Sequence, residues 1–300
     1  MTALLFKRGV RLTVYQPKSS TAGFIGQNPQ FFTPQPNGIV IQNLRVQFKI
    51  EKSLEKTPNT CEITITNCSA QTRTFLNTKP LTVQLDAGYG DELRYVIAGD
   101  VRHAYSKKDG GDWETVLQIA EGDRAYRYAR VSRSYTKGTN VITAVREAAA
   151  SMGLQLTPDV LASQDLQAQF ATGRTLQGAT RDELTRLLAP YGYHWSIQGG
   201  QLQVLKDQNA APGTAFSISQ STGLLDSPEY STPEKPGKTP ALKTKTLLYP
   251  ELIAGATISV DSLAVSGLFR IAKLTHTGDT HGDDWCTECE STPVSGARAA

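Results

Sequence analysis

The sequence predicts a mainly β protein with an α/β insert. Three observations carry this. Apolar and polar residues alternate with a period of two through 39–120 and again through 215–291. The apolar spacing turns helical after Gly138, and the linker DQNAAPGT (207–214) precedes the return to alternation. The order β, α/β, β in 300 residues suits two or three domains. The expected boundaries are a first β domain at 1–135, a small α/β domain at 136–207, a second β domain at 208–294 and a disordered tail at 295–300.

In chain order, VRLTVY (10–15) reads as a strand. Residues 16–38 contain Pro17, Pro29, Pro34 and Pro36 without a clean period, yet Phe24, Ile25, Phe31 and Phe32 are too apolar for a free linker. The segment reads either as an arm lying on a neighbouring subunit or as an ordered loop packed on its own domain. Residues 39–51 read as one long strand, with Leu44, Val46, Phe48 and Ile50 on one face and Asn43, Arg45, Gln47 and Lys49 on the other. Thr57-Pro58-Asn59 turns it into a hairpin. From Asn59 to Asp123 follows a run of antiparallel strands. Cys61, Ile63 and Ile65 alternate with Glu62, Thr64 and Thr66. Leu81, Val83, Leu85 and Ala87 alternate with Thr82, Gln84 and Asp86, giving one buried and one wet face. Reversals are expected around Tyr89-Gly90 and at Gly110-Gly111.

DRAYRYARVSRSYTKGT interleaves Arg124, Arg127, Arg130, Arg133 and Lys137 with Tyr126, Tyr128 and Tyr135. Such a tract can make a single-strand nucleic-acid platform. The favoured reading is a solvated, salt-bridged or inter-subunit strand face, since no aromatic–basic motif of an RNA-binding module accompanies it. Beyond Gly138, Ile142, Val145, Ala148, Ala149 and Met152 form one helical stripe, with Asn140 as N-cap and Gly153 as terminator. Thr157-Pro158 opens a short helix, and Thr180 to Glu183 has the form of a capping box for a helix through Leu184, Leu187 and Leu188 that ends at Gly192. YHWSIQGGQLQVL reads as a hairpin turning at Gly199-Gly200. The second β domain holds AFSISQS, ALKTKTLLY, ATISVDS, LFRIAKLTHTG and DWCTECES, with a proline-rich exposed loop at 226–240.

A net charge of +3 is too balanced to imply nucleic-acid binding on its own. The sign is uneven: residues 1–100 hold 11 Lys/Arg against 7 Asp/Glu, and residues 201–300 hold 8 against 11, which would suit head-to-tail stacking of unlike faces. No apolar run approaches a bilayer span, so no integral membrane segment is expected. The start MTALLFKRGVRL lacks a signal-peptide core. The expectation is folding in a reducing cytoplasm, with Cys61, Cys68, Cys286 and Cys289 as free thiols.

Cys286-x-x-Cys289 with His276 and His281 could in principle supply a zinc site. An odd offset along a strand points the two thiols to opposite faces, and no glycine knuckle lies between them, so a metal is not assigned. His281, Asp283 and Asp284 resemble a hydrolase cluster only in composition. No G-x-S-x-G, phosphate loop or H-E-x-x-H occurs. His103 reads as structural, and Trp113, Trp195 and Trp285 as core or interface anchors. No catalytic, cofactor-binding or metal residue is assigned, and no cofactor is expected. An enzyme that degrades cell walls is the alternative reading.

Six phrases in order carry a resemblance: LRVQFKIEKSLEKTPNTCEITITNCS, VQLDAGYGDELRYVIAGDV, GTNVITAVREAAASMGL, TLQGATRDELTRLLAPYGYHWSIQGGQLQVL, LLYPELIAGATISVDS and LFRIAKLTHTGDTHGDDWCTECE. Together, over about 39–292, they resemble the baseplate hub proteins of tailed bacteriophages, the group of late control protein D and of the hub part of type VI secretion spike proteins. The resemblance implies that the two β domains are tail-tube-like β-barrels flanking the α/β domain. It implies a non-enzymatic homotrimer whose six modules make a pseudo-sixfold ring around the channel for DNA passage. The implied partners are the tail tube or distal tail protein, a trimeric central spike or fibre hub protein, the tape measure protein, and baseplate wedge proteins in a contractile tail. No specific nucleic-acid binding is implied. The implied location is the virion tail tip or baseplate, after assembly in the host cytoplasm. The arm at 16–38 departs from the family pattern, as does the lack of an appended lysozyme-like domain.

Overall fold

The computed structural model describes residues 7–16, 38–78, 80–206, 210–211, 213–231 and 240–294. Most of the 16–38 arm, the 295–300 tail and parts of the linker and proline-rich loop lie outside the described residues. The first β region is β1 (Arg8–Tyr15), β2 (Gly38–Ile41), β3 (Val46–Ser53), β4 (Thr60–Thr66), β5 (Thr82–Tyr89), β6 (Glu92–Asp109) and β7 (Asp112–Ala120), with helix α1 (Ala70–Leu76) between β4 and β5. The insert comprises α2 (Asp123–Tyr128), β8 (Arg130–Tyr135), α3 (Val141–Ser151), β9 (Gln155–Leu156), α4 (Pro158–Ala162), β10 (Arg174–Ala179), α5 (Thr180–Leu188), β11 (Tyr193–Gln198) and β12 (Gln201–Lys206). The chain closes with β13 (Phe216–Ser219), β14 (Glu229–Tyr230), β15 (Leu242–Leu247), β16 (Thr257–Asp261), β17 (Ser266–Asp279) and β18 (Trp285–Pro293).

Both β regions belong to a single 13-stranded sheet with the path β14-β15-β18-β17-β3-β4-β7-β6-β5-β1-β2, and β16 and β13 branch from β17. This corrects the expectation of two separately closed barrels: the sheet is large, antiparallel apart from β13–β16, and open. The physical reason lies in β17. One of its edges is taken by β18 along most of its length. Its other edge pairs first with β16, through 266–270, and then with β3, through 273–279. A bulge between Ile271 and Lys273 falls at that change of partner, where the extra residue bends the strand. β6 pairs with β5 on one edge up to Asp100 and with β7 on the other from Asp100 onward, with a bulge between Val101 and His103.

Several local readings are also corrected. The expected strand 39–51 is broken between β2 and β3. Asn43 takes a φ of 61°, a left-handed conformation that asparagine tolerates better than branched residues do. The short break after Cys68 holds α1, started by the Ser69 hydroxyl accepting from Thr72 N–H. The wet face expected on β5 is buried. Thr82, Gln84 and Asp86 are all under 6% exposed, and Asp86 takes Arg11 at 2.9 Å and the Gln84 amide at 2.8 Å. The basic tract begins as helix α2 rather than strand, because Asp123 at its first turn accepts from Arg127 one turn on. The capping box does not form: Thr180 is already helical, and its hydroxyl bonds Ser151 at 2.8 Å.

The expected hairpins do form at β3–β4, β5–β6, β6–β7 and β11–β12. Gly199 and Gly200 turn the last of these with φ of 59° and 73°, the pair of positive angles a two-residue type I′ loop requires. Gly153 follows α3 at φ 66°.

Three hydrophobic clusters form among the described residues. The first lies under β1–β7, the second between Ala125 and Val204, and the third between Ile218 and Cys289. Val131 and Tyr135 of β8 pack in the second cluster with α3 and α5, although the sequence groups them with the first β region. Trp285 crosses between regions: it stands on β18 but packs in the first cluster, edge-on to Phe48 at 5.6 Å and under the Arg8 guanidinium at 5.7 Å.

Candidate interaction surfaces

The α/β insert is fixed to the sheet by a buried polar seam. Val46, Phe48 and Ile50 point inward from β3, and Lys52 continues their phase, only 2% exposed. Its Nζ donates to the Val96 carbonyl at 2.7 Å. Glu121, 1% exposed, likewise follows Leu117 and Ile119. Asn59 is the hub of the seam. Its amide nitrogen donates to Glu121 Oε2 at 2.7 Å and to the Ile197 carbonyl and Gln198 Oε1 at 3.0 Å, while its oxygen accepts from Ser53 N–H at 3.0 Å. Glu121 Oε1 accepts from Gly200 N–H at 2.9 Å, and Gln198 donates to the Ser53 carbonyl at 2.8 Å. The hairpin β11–β12 is therefore held by side chains of the β3–β4 turn and the end of β7. Burial lowers the Lys52 pKa to about 8 against the pull of Glu121, and burial raises that of Glu121 against Lys52 and Asn59. Residue reasoning missed these four side chains. The available signal was a charge sitting on the apolar phase of a strand.

The basic tract resolves into ion pairs. Arg102 and Arg127 both hold Asp123, at 2.6 and 2.9 Å, Arg124 holds Asp100 at 3.0 Å, and Arg133 holds Glu147 at 3.3 Å. Tyr126 lies under the Arg181 guanidinium and Tyr135 is buried, while Tyr128 stands 70% exposed.

The residues weighed for metal or hydrolytic chemistry are not brought together. His276 is fully buried, its Nδ1 2.9 Å from the Thr287 hydroxyl, and burial drives its pKa well down. His281 is exposed and contacts Thr280. Cys286 and Cys289 are both buried in β18 as free thiols, and burial pushes the latter up to about 12. Cys61 and Cys68 are buried free thiols too. Among the described residues, no three of His, Cys, Asp or Glu are placed to hold a metal ion. His103 is exposed beside Tyr105, Trp195 is buried and donates to Thr185 at 2.9 Å, and Trp113 lies under Arg73 at 4.2 Å.

The loop after β17 ties the two β regions from outside. Asp279 accepts Arg45 at 2.7 Å, Gln47 at 3.0 Å and His281 N–H at 2.9 Å. Its burial would raise its pKa, but these donors, Arg45 foremost, bring it down to about 2. Arg8 donates to the carbonyls of Asp279, Gly282 and Asp283. β2 and β14 end the sheet path, carrying Val40 and Tyr230 about half exposed, and Leu263 is fully exposed at the β16–β17 turn. Two shallow clefts of about 130 and 270 Å³ lie beside Phe170 and Tyr191 and beside Arg102 and Arg124. Both are below the usual size of a small-molecule site.

Solved structures of three other proteins share this fold at low sequence identity. The 43 kDa tail protein of prophage MuSo2 from Shewanella oneidensis shares it at a TM-score of 0.59 and 10% identity, over 85% of this chain and 94% of that one. The tail protein of Neisseria meningitidis MC58 shares it at 0.57 and 11%, over 94% and 96%. The E. coli c3393 protein, a type VI secretion component described as similar to the T4 tail proteins gp27 and gp5, shares it at 0.56 and 10%, over 84% and 74%. No match is found among curated protein sequences. The family model "Baseplate hub gp41" matches residues 30–290, so the chain belongs to the baseplate hub gp41 family and is a structural component of the phage tail.

Proposed function

We propose that three copies form a ring in which the two β regions of each chain serve as equivalent staves. The ring is then pseudo-sixfold and surrounds the channel for DNA. On one side it meets the hexameric tail tube or distal tail protein, and on the other the trimeric central spike or fibre hub. The observation that carries this reading is one open sheet whose path, among the described residues, ends on unlike strands, β2 and β14. Head-to-tail pairing of unlike edges continues from copy to copy and closes when the rotation allows. Tube-like barrels would then be completed by neighbouring copies. The β3–β17 ladder and Trp285 join the two regions, as a stave pair needs. The three hydrophobic clusters support a reading of three units, with the insert outside the ring as a docking surface. Light scattering on the purified protein, with and without the spike, tests the proposal. The expected mass is three times the 32.6 kDa chain. A single-chain mass under every condition would refute it.

A further inference from the structure

Seven neighbouring strands, β15, β18, β17, β3, β4, β7 and the second half of β6, share one outward phase that crosses from one β region to the other. Their registers set the polar side chains of that phase in rows. Lys243 and Lys245 of β15 stand opposite Glu290 and Glu288 of β18, and Lys273 of β17 faces Glu290 from the other side. Across the β17–β3 ladder, Thr275 meets Glu51 and Thr277 meets Lys49. Lys49 stands opposite Glu62 on β4, Glu62 opposite Gln118 on β7, and Gln118 opposite His103 on β6. Lys107 ends the last row against Glu114. Lys49, Glu62, Gln118, Glu288 and Glu290 are exposed.

Each lysine of these rows stands beside a glutamate. Lys49 lies 3.1 Å from Glu51, Lys107 3.0 Å from Glu114 and Lys245 3.6 Å from Glu288, and Arg45 at the margin is held by Asp279 at 2.7 Å. Non-specific retention of DNA comes from lysines and arginines that neutralise its phosphates, and here the neighbouring carboxylates already neutralise them. The further layers of the wall lie behind this face. Ile50, Ile63 and Leu117 point from the opposite phase into the first cluster, and Leu274 and Cys289 into the third. Helix α1 is on that side as well, with Leu76 in the first cluster and Arg73 over Trp113. The insert joins at the strand ends, through Asn59 and Glu121.

We propose that this charge-balanced face lines the channel and that duplex DNA passes along it without being retained. The assignment rests on the ring proposed above. A wall with its covering layers on one side keeps the bare side for the passage, and matched charges leave a polyanion no binding well to escape from.

Two measurements on the full chain test this, with the mass of each sample recorded. The first labels Glu62→Cys and Glu288→Cys with ethylmaleimide or with a maleimide carrying a large polyethylene glycol. Gln177→Cys, at an exposed position of β10 in the insert, is the control, and the natural thiols, all buried, give the background. In the ring, all three variants should take the small reagent, and the two channel positions should lose labelling by the large one. Equal labelling by the large reagent at all three positions, in a ring of the expected mass, would overturn the face assignment and leave the ring standing. A single-chain mass throughout would overturn both. The second measures retention of a short DNA duplex at physiological salt. The natural ring should retain none. Glu62→Lys with Glu288→Lys leaves lysines unmatched and should bind the duplex with an affinity that falls as salt rises, with circular dichroism unchanged. Retention by the natural ring, or none by the folded variant, would overturn passage without binding.

Discussion

Replacing Asn59 by alanine should damage the molecule more than any surface change of similar size. Asn59 is 3% exposed, and its two amide protons serve three acceptors while its oxygen serves one donor. Truncation leaves at least two groups without that partner: the half-buried Ser53 N–H and the buried Glu121 carboxylate oxygen at 2.7 Å. Each orphaned group costs about 1–3 kcal/mol, and a charged one lies at the upper end, so the expected loss is about 3–5 kcal/mol. That is a large part of the roughly 5–15 kcal/mol that holds a domain together. Because Asn59 joins the β3–β4 turn to the β11–β12 hairpin, the insert should also uncouple from the sheet. Urea unfolding followed by tryptophan fluorescence reads both effects, since Trp195 sits in the second cluster and Trp285 in the first. The expected result is a lower midpoint and a split transition. A single transition within about 0.5 kcal/mol of wild type would refute the reasoning about the seam.

Other outcomes follow from the same contacts. Lys52 has a folded pKa of about 8, below its unfolded value of about 10.4, so the unfolded chain binds more protons between those pH values and stability should rise with pH across that window. Lys52→Met should remove that rise in chemical denaturation curves; an unchanged slope would count against a buried lysine. Asp279 has a folded pKa of about 2, so its contribution is complete above the unfolded value of about 3.9 and fades as pH falls toward 2. Asp279→Asn should cost about 1–3 kcal/mol near neutral pH and progressively less in acid, measured by urea midpoints. Gly278 faces Phe48 across the β3–β17 ladder, and an added Cβ would come within 2.3 Å of its ring. Gly278→Ala should cost about 1–3 kcal/mol by overpacking, and Phe48→Leu in the same chain should recover part of that loss in thermal melts.

Local pairing was legible in the sequence because hairpins announce themselves by alternation and turn residues, as at Gly110-Gly111 and Gly199-Gly200. What escaped depends on distant partners. β3 pairs with β17 more than two hundred residues away, and nothing in Val46–Ser53 marks that edge as taken. The polar face of β5 reads as wet until Arg11, on β1, supplies the partner that lets Asp86 be buried. α1 is short and rich in threonine, so its propensity is poor, and a single serine cap is a weak signal. The β8–β10 ribbon was hidden for a similar reason. Arg174–Ala179 shows one buried apolar side chain, Leu176, and its pairing depends on a strand about forty residues earlier. Of the functional surfaces, the basic tract was visible as composition but not as ion pairs. The seam was visible only as two charges, Lys52 and Glu121, on apolar phases.

An electron-microscopic image of the isolated oligomer, viewed down its axis, tests the ring most directly. The expected image is a threefold ring with an open axial channel and six wall segments of similar shape. A particle with no channel, or with only three wall segments, would contradict it.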